Sequence, residues 1–182
     1  TFEMKHKHQF EDANKSFNFR EFFRVDEKGE LVYKREVKRF LDNITNPDNN
    51  TNYPFSTKAY REELRHTLWL MPGVKEANAF ELLLKEHPIF GREYKIVNVV
   101  RGSGDENGVA NDADIEKVRN AITDDPSKTK TITLTVRKLT TGVNIPEWTA
   151  VLFLSNTNSA MNYLQAAFRA QTPFSHEKLG MK

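Results

Sequence analysis

The chain has 182 residues, which is enough for one packed domain and at most a small appendage. It has 38% hydrophobic and 29% charged residues, no cysteine, and no apolar run as long as the roughly 18 residues of a membrane span. This composition excludes a membrane-spanning helix, a disulfide framework and a thiolate metal site, while the net charge of +2 is too small to indicate a polyanionic partner by itself.

The first 65 residues differ from the rest of the chain, because they are dense in charge, rich in Phe and without strand patterns. Four apolar residues have the spacing of one buried helix face: Val37, Phe40, Leu41 and Ile44. Another cluster is too apolar to remain exposed: Phe17, Phe19, Phe22 and Phe23. We predict that residues 1–65 form a helical extension or linker that packs on the main domain or on a further domain.

From residue 66 onwards, short apolar runs alternate with helical patterns. Strands are predicted at residues 67–71, 94–100, 131–136 and 149–154. Helices are predicted from residues 72–73 to about 86, at 112–122 and at 160–171. This alternation predicts βαβ units, and therefore an α/β domain over residues 66–182 with a mostly parallel sheet flanked by helices.

Three polar junctions follow the carboxyl ends of predicted strands, at residues 71–73, 137–146 and 155–159. Because ligands of open α/β sheets bind at that edge, we expect any chemistry there. The charge is also uneven. Residues 126–182 contain seven basic and two acidic side chains, whereas residues 102–125 contain two basic and seven acidic ones. A polyanion would therefore be attracted to the C-terminal third.

Two other patterns suggest chemistry but are weak. The Gly-rich loop at residues 101–108 matches neither GxGxxG nor a P-loop, and its acidic residues would repel phosphate, so a surface loop is favoured. Asp26 with Glu36 and Lys38 resembles the acidic and ExK elements of a metal-dependent nuclease, although such charges are ordinary on a helix. His6 and His8 lack further metal ligands at suitable spacing.

The last predicted helix carries two stripes. The apolar stripe contains Met161, Leu164 and Phe168. The polar stripe contains Asn162, Gln165, Arg169 and Thr172, so that Arg169 is its single basic residue. Taken alone, this pattern is typical of an amphipathic helix with a solvated polar face.

Three segments in consistent order resemble the C-terminal RecA-like domain of superfamily II helicases, especially the motor subunits of type I and type III restriction enzymes. Residues 66–73 (HTLWLMPG) are similar to motif IV, residues 140–146 (TTGVNIP) to motif V, and residues 165–169 (QAAFR) to motif VI. The resemblance covers residues 66–173 and implies a RecA-like fold. It also implies a place as the second lobe of an ATP-dependent DNA helicase or translocase.

The resemblance implies site residues as well. ATP would be contacted by Thr141, Gly142, Asn144, Gln165 and Arg169, with Arg169 as the catalytic residue. DNA would be contacted by Gly73, Lys75, Arg101, Thr135, Arg137 and Thr140. Two positions depart from the family pattern, because Phe168 stands where Gly or Ser is usual and Thr172 stands where a second Arg is usual.

The sequence contains neither GxxxxGK[ST] nor an acidic box of the DEAD type, so the cradle for ATP and Mg²⁺ would belong to a first RecA-like domain of the same polypeptide. We therefore expect a fragment of a larger cytoplasmic protein that has no ATP hydrolase activity in isolation. Nuclease or methyltransferase domains are further expected partners in that protein. The alternatives are a metal-dependent nuclease segment and a RecA-like module that binds DNA or couples domains without turnover.

Overall fold

Four parallel strands form the centre of this computed structural model, which describes residues 17–47, 53–100, 112–136, 139, 143–157 and 159–181. The strands are β1 (His66–Leu70), β2 (Lys95–Asn98), β3 (Thr131–Thr135) and β4 (Ala150–Phe153). The helices are α1 (Phe19–Phe22), α2 (Lys34–Thr45), α3 (Lys58–Glu63), α4 (Val74–Glu86), α5 (Phe90–Glu93), α6 (Asp112–Ile122) and α7 (Ala160–Ala167). Two 3₁₀ helices cover Pro126–Lys128 and Phe168–Gln171.

The strand order is β2-β3-β1-β4, with every neighbouring pair parallel. In this register Leu68 of β1 lies between Thr133 of β3 and Val151 of β4. The inner strands β1 and β3 are buried along their whole length, as expected when helices cover both faces of a sheet. The predicted fold class is therefore confirmed, with each of the four strands within two residues of its predicted ends.

One face of the sheet packs against α4. Trp69 on β1 and Ile132 and Leu134 on β3 meet the apolar stripe of that helix, which includes Phe80 and Leu84. The indole of Trp69 lies 6.0 Å from the ring of Phe80, between centroids. Because these side chains are fully buried, each contributes about 1.5 to 3 kcal/mol by leaving water.

The N-terminal extension packs on the same side and joins the same core. In α2 the residues Val37, Leu41 and Ile44 are buried and Phe40 is partly buried, which confirms the predicted helix face. Of the predicted Phe cluster, Phe23 is fully buried and lies 5.1 Å from Phe80 between ring centroids. Phe19 and Phe22 are partly buried against this core, whereas Phe17 is 57% exposed.

The opposite face is covered by α6, by residues 143–148 and by α7. Val118 and Ile122 of α6 pack with Leu68 and Leu70 of β1, and the fully buried Trp148 fills the space beside them. The helices after β1 and after β2 therefore lie on opposite faces. The chain crosses the sheet in one direction from β1 to β2 and in the other direction from β2 to β3, so right-handed crossovers place the two helices on opposite faces.

The C-terminal part differs from the sequence-based expectation. The α-helix ends at Ala167, and the chain continues as a 3₁₀ helix to Gln171. Ala166 faces the core, while the apolar stripe is exposed to 64%, 47% and 53% at Met161, Leu164 and Phe168. A hairpin of two antiparallel strands with two residues each, β5 (Ser175–His176) and β6 (Gly180–Met181), follows. None of the helices in the described ranges is long and apolar enough to cross a membrane.

Candidate functional site

The carboxyl edge of the sheet is crossed by the N-terminal extension. Asn156, in the loop after β4, accepts a hydrogen bond at Oδ1 from the amide of Phe19 (2.9 Å) and donates one from Nδ2 to the carbonyl of Phe17 (2.7 Å). Arg20 donates from Nη2 to the carbonyl of Pro72 at 3.3 Å, in the loop after β1. The loops after two neighbouring strands thus hold α1 in place, which no local sequence pattern indicated.

Two of the predicted DNA contacts lie at this edge. Gly73 is the N-cap of α4, and Lys75 is exposed in its first turn. The carboxylate of Glu76 folds back over Gly73, so a negative charge already lies at the helix N-terminus. Thr135, another predicted DNA contact, is fully buried on the inner strand β3, and its side chain does not reach the surface.

Several predicted site residues lie outside the described residues: Arg101, Arg137, Thr140, Thr141 and Gly142. The Gly-rich loop at residues 101–108 lies outside them as well. Their assignments remain predictions from the resemblance.

The structure brings the predicted motif VI arginine against the predicted motif V turn. Arg169 donates from Nη1 to the carbonyl of Val143 at 2.5 Å and from Nε to the carbonyl of Gln165 at 3.3 Å. Val143 and Ile145 are buried on the second face of the sheet, which turns the intervening Asn144 outward to solvent. Asn144, Gln165 and Arg169 therefore form one group, hereafter the Arg169 group.

This group is not at the carboxyl edge where residues 137–146 were expected. The carbonyl of Asn144 accepts a hydrogen bond from Nη2 of Arg119 at 3.4 Å, in the last turn of α6. That turn adjoins the start of β3, since Thr129 donates from its hydroxyl to the carbonyl of Ile122 at 2.5 Å. Asn144 thus lies toward the amino edge of the sheet. The chain runs from the carboxyl end of β3 back to the amino edge along the face covered by α6, and then enters β4.

The polar stripe of the last helix is only partly solvated. Asn162 is exposed, but Gln165, Arg169 and Thr172 are half-buried, which differs from a helix with a freely solvated polar face. Arg169 is the basic residue of this stripe, as the sequence indicated, and it lies in the 3₁₀ helix rather than in α7. Thr172 follows as the C-cap of that 3₁₀ helix.

The residues of the nuclease alternative have other partners or lie at the surface. Asp26 accepts hydrogen bonds at Oδ1 from the amides of Lys28 and Glu30, both at 2.9 Å, and so closes a turn. Lys38 lies 3.9 Å from a carboxylate oxygen of Glu86, between Nζ and Oε2. Glu36 is exposed in the first turn of α2. No group of three or more possible metal-binding side chains exists in the described ranges, and His6 and His8 lie outside them.

Charged residues that the sequence analysis did not single out meet at the amino edge of the sheet. Glu93 contacts Nε of Arg61 (3.0 Å) and Nζ of Lys130 (3.4 Å). Glu62 contacts Nζ of Lys130 at 2.7 Å and also the guanidinium of Arg65. The hydrogen bond from Lys130 lowers the pKa of Glu62. Burial raises the pKa of Glu93, but Arg61 and Lys130 outweigh it, so that both carboxylates are charged at neutral pH.

The first residue of the inner strand β1 is a buried histidine, His66, which follows Arg65 of this charged network. The ring nitrogens of His66 lie 3.0 Å from the hydroxyl of Thr131 and 3.0 Å from the carbonyl of Pro126. Burial lowers the pKa of His66 to about 4, so that the ring is neutral near pH 7. With both nitrogens engaged by protein groups, His66 is a structural residue of the core.

No protein-family model matches the chain, and no solved structure matches it. The chain is similar to a protein of Mycoplasma pneumoniae (strain ATCC 29342 / M129 / Subtype 1) named "Putative type II restriction enzyme and methyltransferase RM.MpnORF110P C-terminus". The two are 29% identical over 168 residues, which cover 86% of this chain. The chain spans only 23% of the length of that relative.

Proposed function

We propose that this chain is the second RecA-like lobe of an ATP-dependent DNA translocase or helicase within a restriction-modification protein. The observation that carries the proposal is the contact of Arg169 with the Val143 carbonyl, which joins two segments whose sequences resemble motifs VI and V. The name of the Mycoplasma pneumoniae relative supports the link to restriction and modification.

Arg169 fits the role of an arginine that neutralises phosphate charge. A guanidinium carries five N–H donors. Two of them, one on Nε and one on Nη1, bind backbone carbonyls, and the other three have no acceptor within the described ranges and could contact the oxygens of a polyphosphate. The two carbonyls also fix the side chain in advance, which reduces the entropy lost when it binds. In the proposal, MgATP held by a first lobe supplies the phosphoryl group and the free energy of movement.

Gln165 and Asn144 would sense the nucleotide beside this arginine. Gln165 contributes its backbone carbonyl to Arg169, and the exposed side-chain amide of Asn144, which has no partner within the described ranges, can hydrogen-bond a ribose or phosphate oxygen. Arg119 connects the carbonyl of Asn144 to α6. A nucleotide that draws Arg169 or Asn144 toward a first lobe would therefore displace the 143–147 segment together with α6.

Two of the proposed DNA contacts lie at the other end of the sheet. Gly73 and Lys75 begin α4 at the carboxyl edge, and we propose that Arg101, Arg137 and Thr140, which lie outside the described residues, also contact DNA. Cleft closure at the Arg169 group would then shift a DNA-binding edge that lies one sheet length away. Such a separation converts a change in the nucleotide site into movement along DNA.

The test is Arg169→Ala in a polypeptide that joins this chain to its P-loop lobe. We expect DNA-stimulated ATP hydrolysis to fall by about 10³ to 10⁵ and translocation to stop, while DNA affinity and melting temperature stay near those of the unaltered protein. Arg169→Lys should restore little, because an ammonium group lacks the planar fork. Thr172→Arg, which restores the family pattern, should raise hydrolysis.

Arg39→Ala is the matched control, since it removes an exposed guanidinium from α2, which has no part in the proposed ATP or DNA contacts. ATP hydrolysis that survives Arg169→Ala at most of its rate would contradict the proposal. So would the absence of a lobe with a P-loop and an acidic box from the polypeptide. The chain alone should show no DNA-stimulated ATP hydrolysis, because half of the site is missing.

A RecA-like module that couples neighbouring domains without turnover is the second candidate. It is favoured by Thr172, which stands where the family has a second arginine, and by the exposed apolar stripe on α7, which suits a contact with another domain. The two candidates differ in one measurement. A polypeptide that contains a complete P-loop lobe but hydrolyses no ATP on any DNA is a coupling module.

A further inference from the structure

A trough crosses the amino edge of the sheet, at the opposite end from Gly73 and Lys75. Three adjacent strands begin there, and each has a cation at its first position or directly before it. These cations are Lys95 at β2, Lys130 before β3 and Arg65 before β1. Lys95 pairs with Thr131, one residue beyond Lys130, so the side chains of Lys95 and Lys130 leave the sheet on opposite faces and the cations flank this edge on both sides. We call this surface the amino-edge trough, with residues 62, 65, 91–95 and 127–130 as its lining.

The acidic residues in the trough do not neutralise it. Glu62 and Glu93 are both charged, but they are shared by three cations, Arg61, Arg65 and Lys130. This inner network therefore retains one positive charge. Its short contacts also hold Arg61, Arg65 and Lys130 in fixed positions, so that less conformational entropy is lost when a ligand binds.

Further cations at the rim are accessible from solvent. Arg92 and Lys95 are exposed, and neither has an ion-pair partner within the described ranges. Lys128 has a side chain that is 73% exposed, with Nζ 3.4 Å from a carboxylate oxygen of Asp125. An exposed pair of this kind contributes about 0 to 1 kcal/mol, so Lys128 is available to a stronger anion.

We propose that the amino-edge trough binds the phosphate backbone of double-stranded DNA, as a second contact surface of the lobe. Fixed and exposed cations are groups that contact DNA phosphates. Protein partners are usually held by buried aromatic or aliphatic anchors, and no large apolar side chain is exposed in the trough. Tyr94 is buried, with its hydroxyl 3.3 Å from the carbonyls of Arg61 and Leu64.

The choice of DNA rests on the proposed function, but the binding itself does not require ATP hydrolysis. With contacts at both edges, one lobe would hold a duplex along the length of its sheet instead of at one end. The trough contributes no base recognition, since its cations suit phosphate. Its contribution should therefore be independent of DNA sequence and strongly dependent on salt.

The test measures binding of a short labelled duplex to the 182-residue chain by fluorescence anisotropy, at about 50 to 200 mM salt. The variant Arg92→Gln/Lys95→Gln/Lys128→Gln removes the rim charges. Three lost phosphate contacts should lower the slope of log K against log[salt] by about 2.7, and affinity should fall about tenfold or more. Each single variant should lower the slope by about 0.9.

The matched control removes three exposed cations from α2, as Lys34→Gln/Arg35→Gln/Arg39→Gln. It changes the net charge of the chain by the same amount as the trough variant. The DNA affinity should stay within about twofold, because the proposal attributes binding to local phosphate contacts and not to net charge. Equal losses in both triple variants, or no loss in the trough variant, would overturn the proposal. Polyglutamate that binds as tightly as the duplex at equal salt would also overturn it, in favour of an acidic protein partner.

Melting temperatures verify that the triple variants are folded, and the single variants decide the question if the triple variant is not. A failure of this proposal is distinguishable from a failure of the proposed function. The first is read from DNA binding by this chain alone, and the second from ATP hydrolysis of the Arg169→Ala polypeptide.

Discussion

Replacing Phe23 with alanine tests whether the N-terminal extension is part of the core. Phe23 is fully buried and makes ring contacts with Phe80 at 5.1 Å, Phe22 at 5.0 Å and Phe19 at 6.5 Å between centroids. Truncation of a buried phenylalanine costs about 3 to 5 kcal/mol. Domains of this size have about 5 to 15 kcal/mol of unfolding free energy, so the variant should lose about a fifth or more of its stability.

Urea unfolding followed by circular dichroism measures this loss. With a slope of about 2 kcal/mol per molar urea, the midpoint should fall by about 1.5 to 2.5 M. Phe17→Ala is the matched control, because Phe17 belongs to the same segment but is 57% exposed, and it should cost less than about 1 kcal/mol. Equal midpoints for the two variants, or proteolytic loss of residues 17–47 without loss of the remaining fold, would refute the reasoning.

Two further predictions concern a buried histidine and a close backbone contact. His66 has a pKa of about 4 in the folded chain and about 6.5 in the unfolded one, so the unfolded chain takes up a proton first as pH falls. The free energy of unfolding should therefore be highest above pH 6.5 and fall by about 3 kcal/mol as pH falls to 4. Unfolding at several pH values measures this, and a variant His66→Gln that keeps the same pH slope would contradict it. Gly91→Ala places a methyl group against the backbone carbonyl of Lys85 and should cost about 1 to 3 kcal/mol. Gly73→Ala, which meets only the flexible carboxylate of Glu76, should cost less, and the reverse order in thermal melts would disprove the packing argument.

Much of the fold was predictable from sequence because its elements have strong local patterns. The helix at Asp112–Ile122 has its predicted bounds, and α4 ends at Glu86 as expected. The alternation of strands and helices was sufficient for a parallel sheet. The strand order was not predictable, since it depends on which strands pair at separations of 36 to 83 residues along the chain. Hairpin β5–β6 was missed because strands of two residues leave no periodic signal.

The candidate site was only partly predictable. Periodicity identified two stripes on the last helix, but it does not say which stripe faces the core. The small Ala166 packs inward, and the larger Met161 and Leu164 lie outward. The position of Asn144 depends on the path between β3 and β4, which local sequence does not encode. The carboxylate of Glu76 over Gly73 is a side-chain conformation, and the sequence alone did not predict it.

The contacts of Asn156 also bear on how the chain is synthesised. Its partners Phe17 and Phe19 precede it by 139 and 137 residues, so the ribosome completes the extension long before the loop that holds it. At about 5 to 20 residues per second, the interval is roughly 7 to 27 s. During that time the aromatic side chains of residues 17–23 can be covered only by elements already made, such as Phe40 of α2 and Phe80 of α4. Attachment of this segment to the sheet edge is therefore a late event in synthesis, whereas its packing on α2 and α4 can form early.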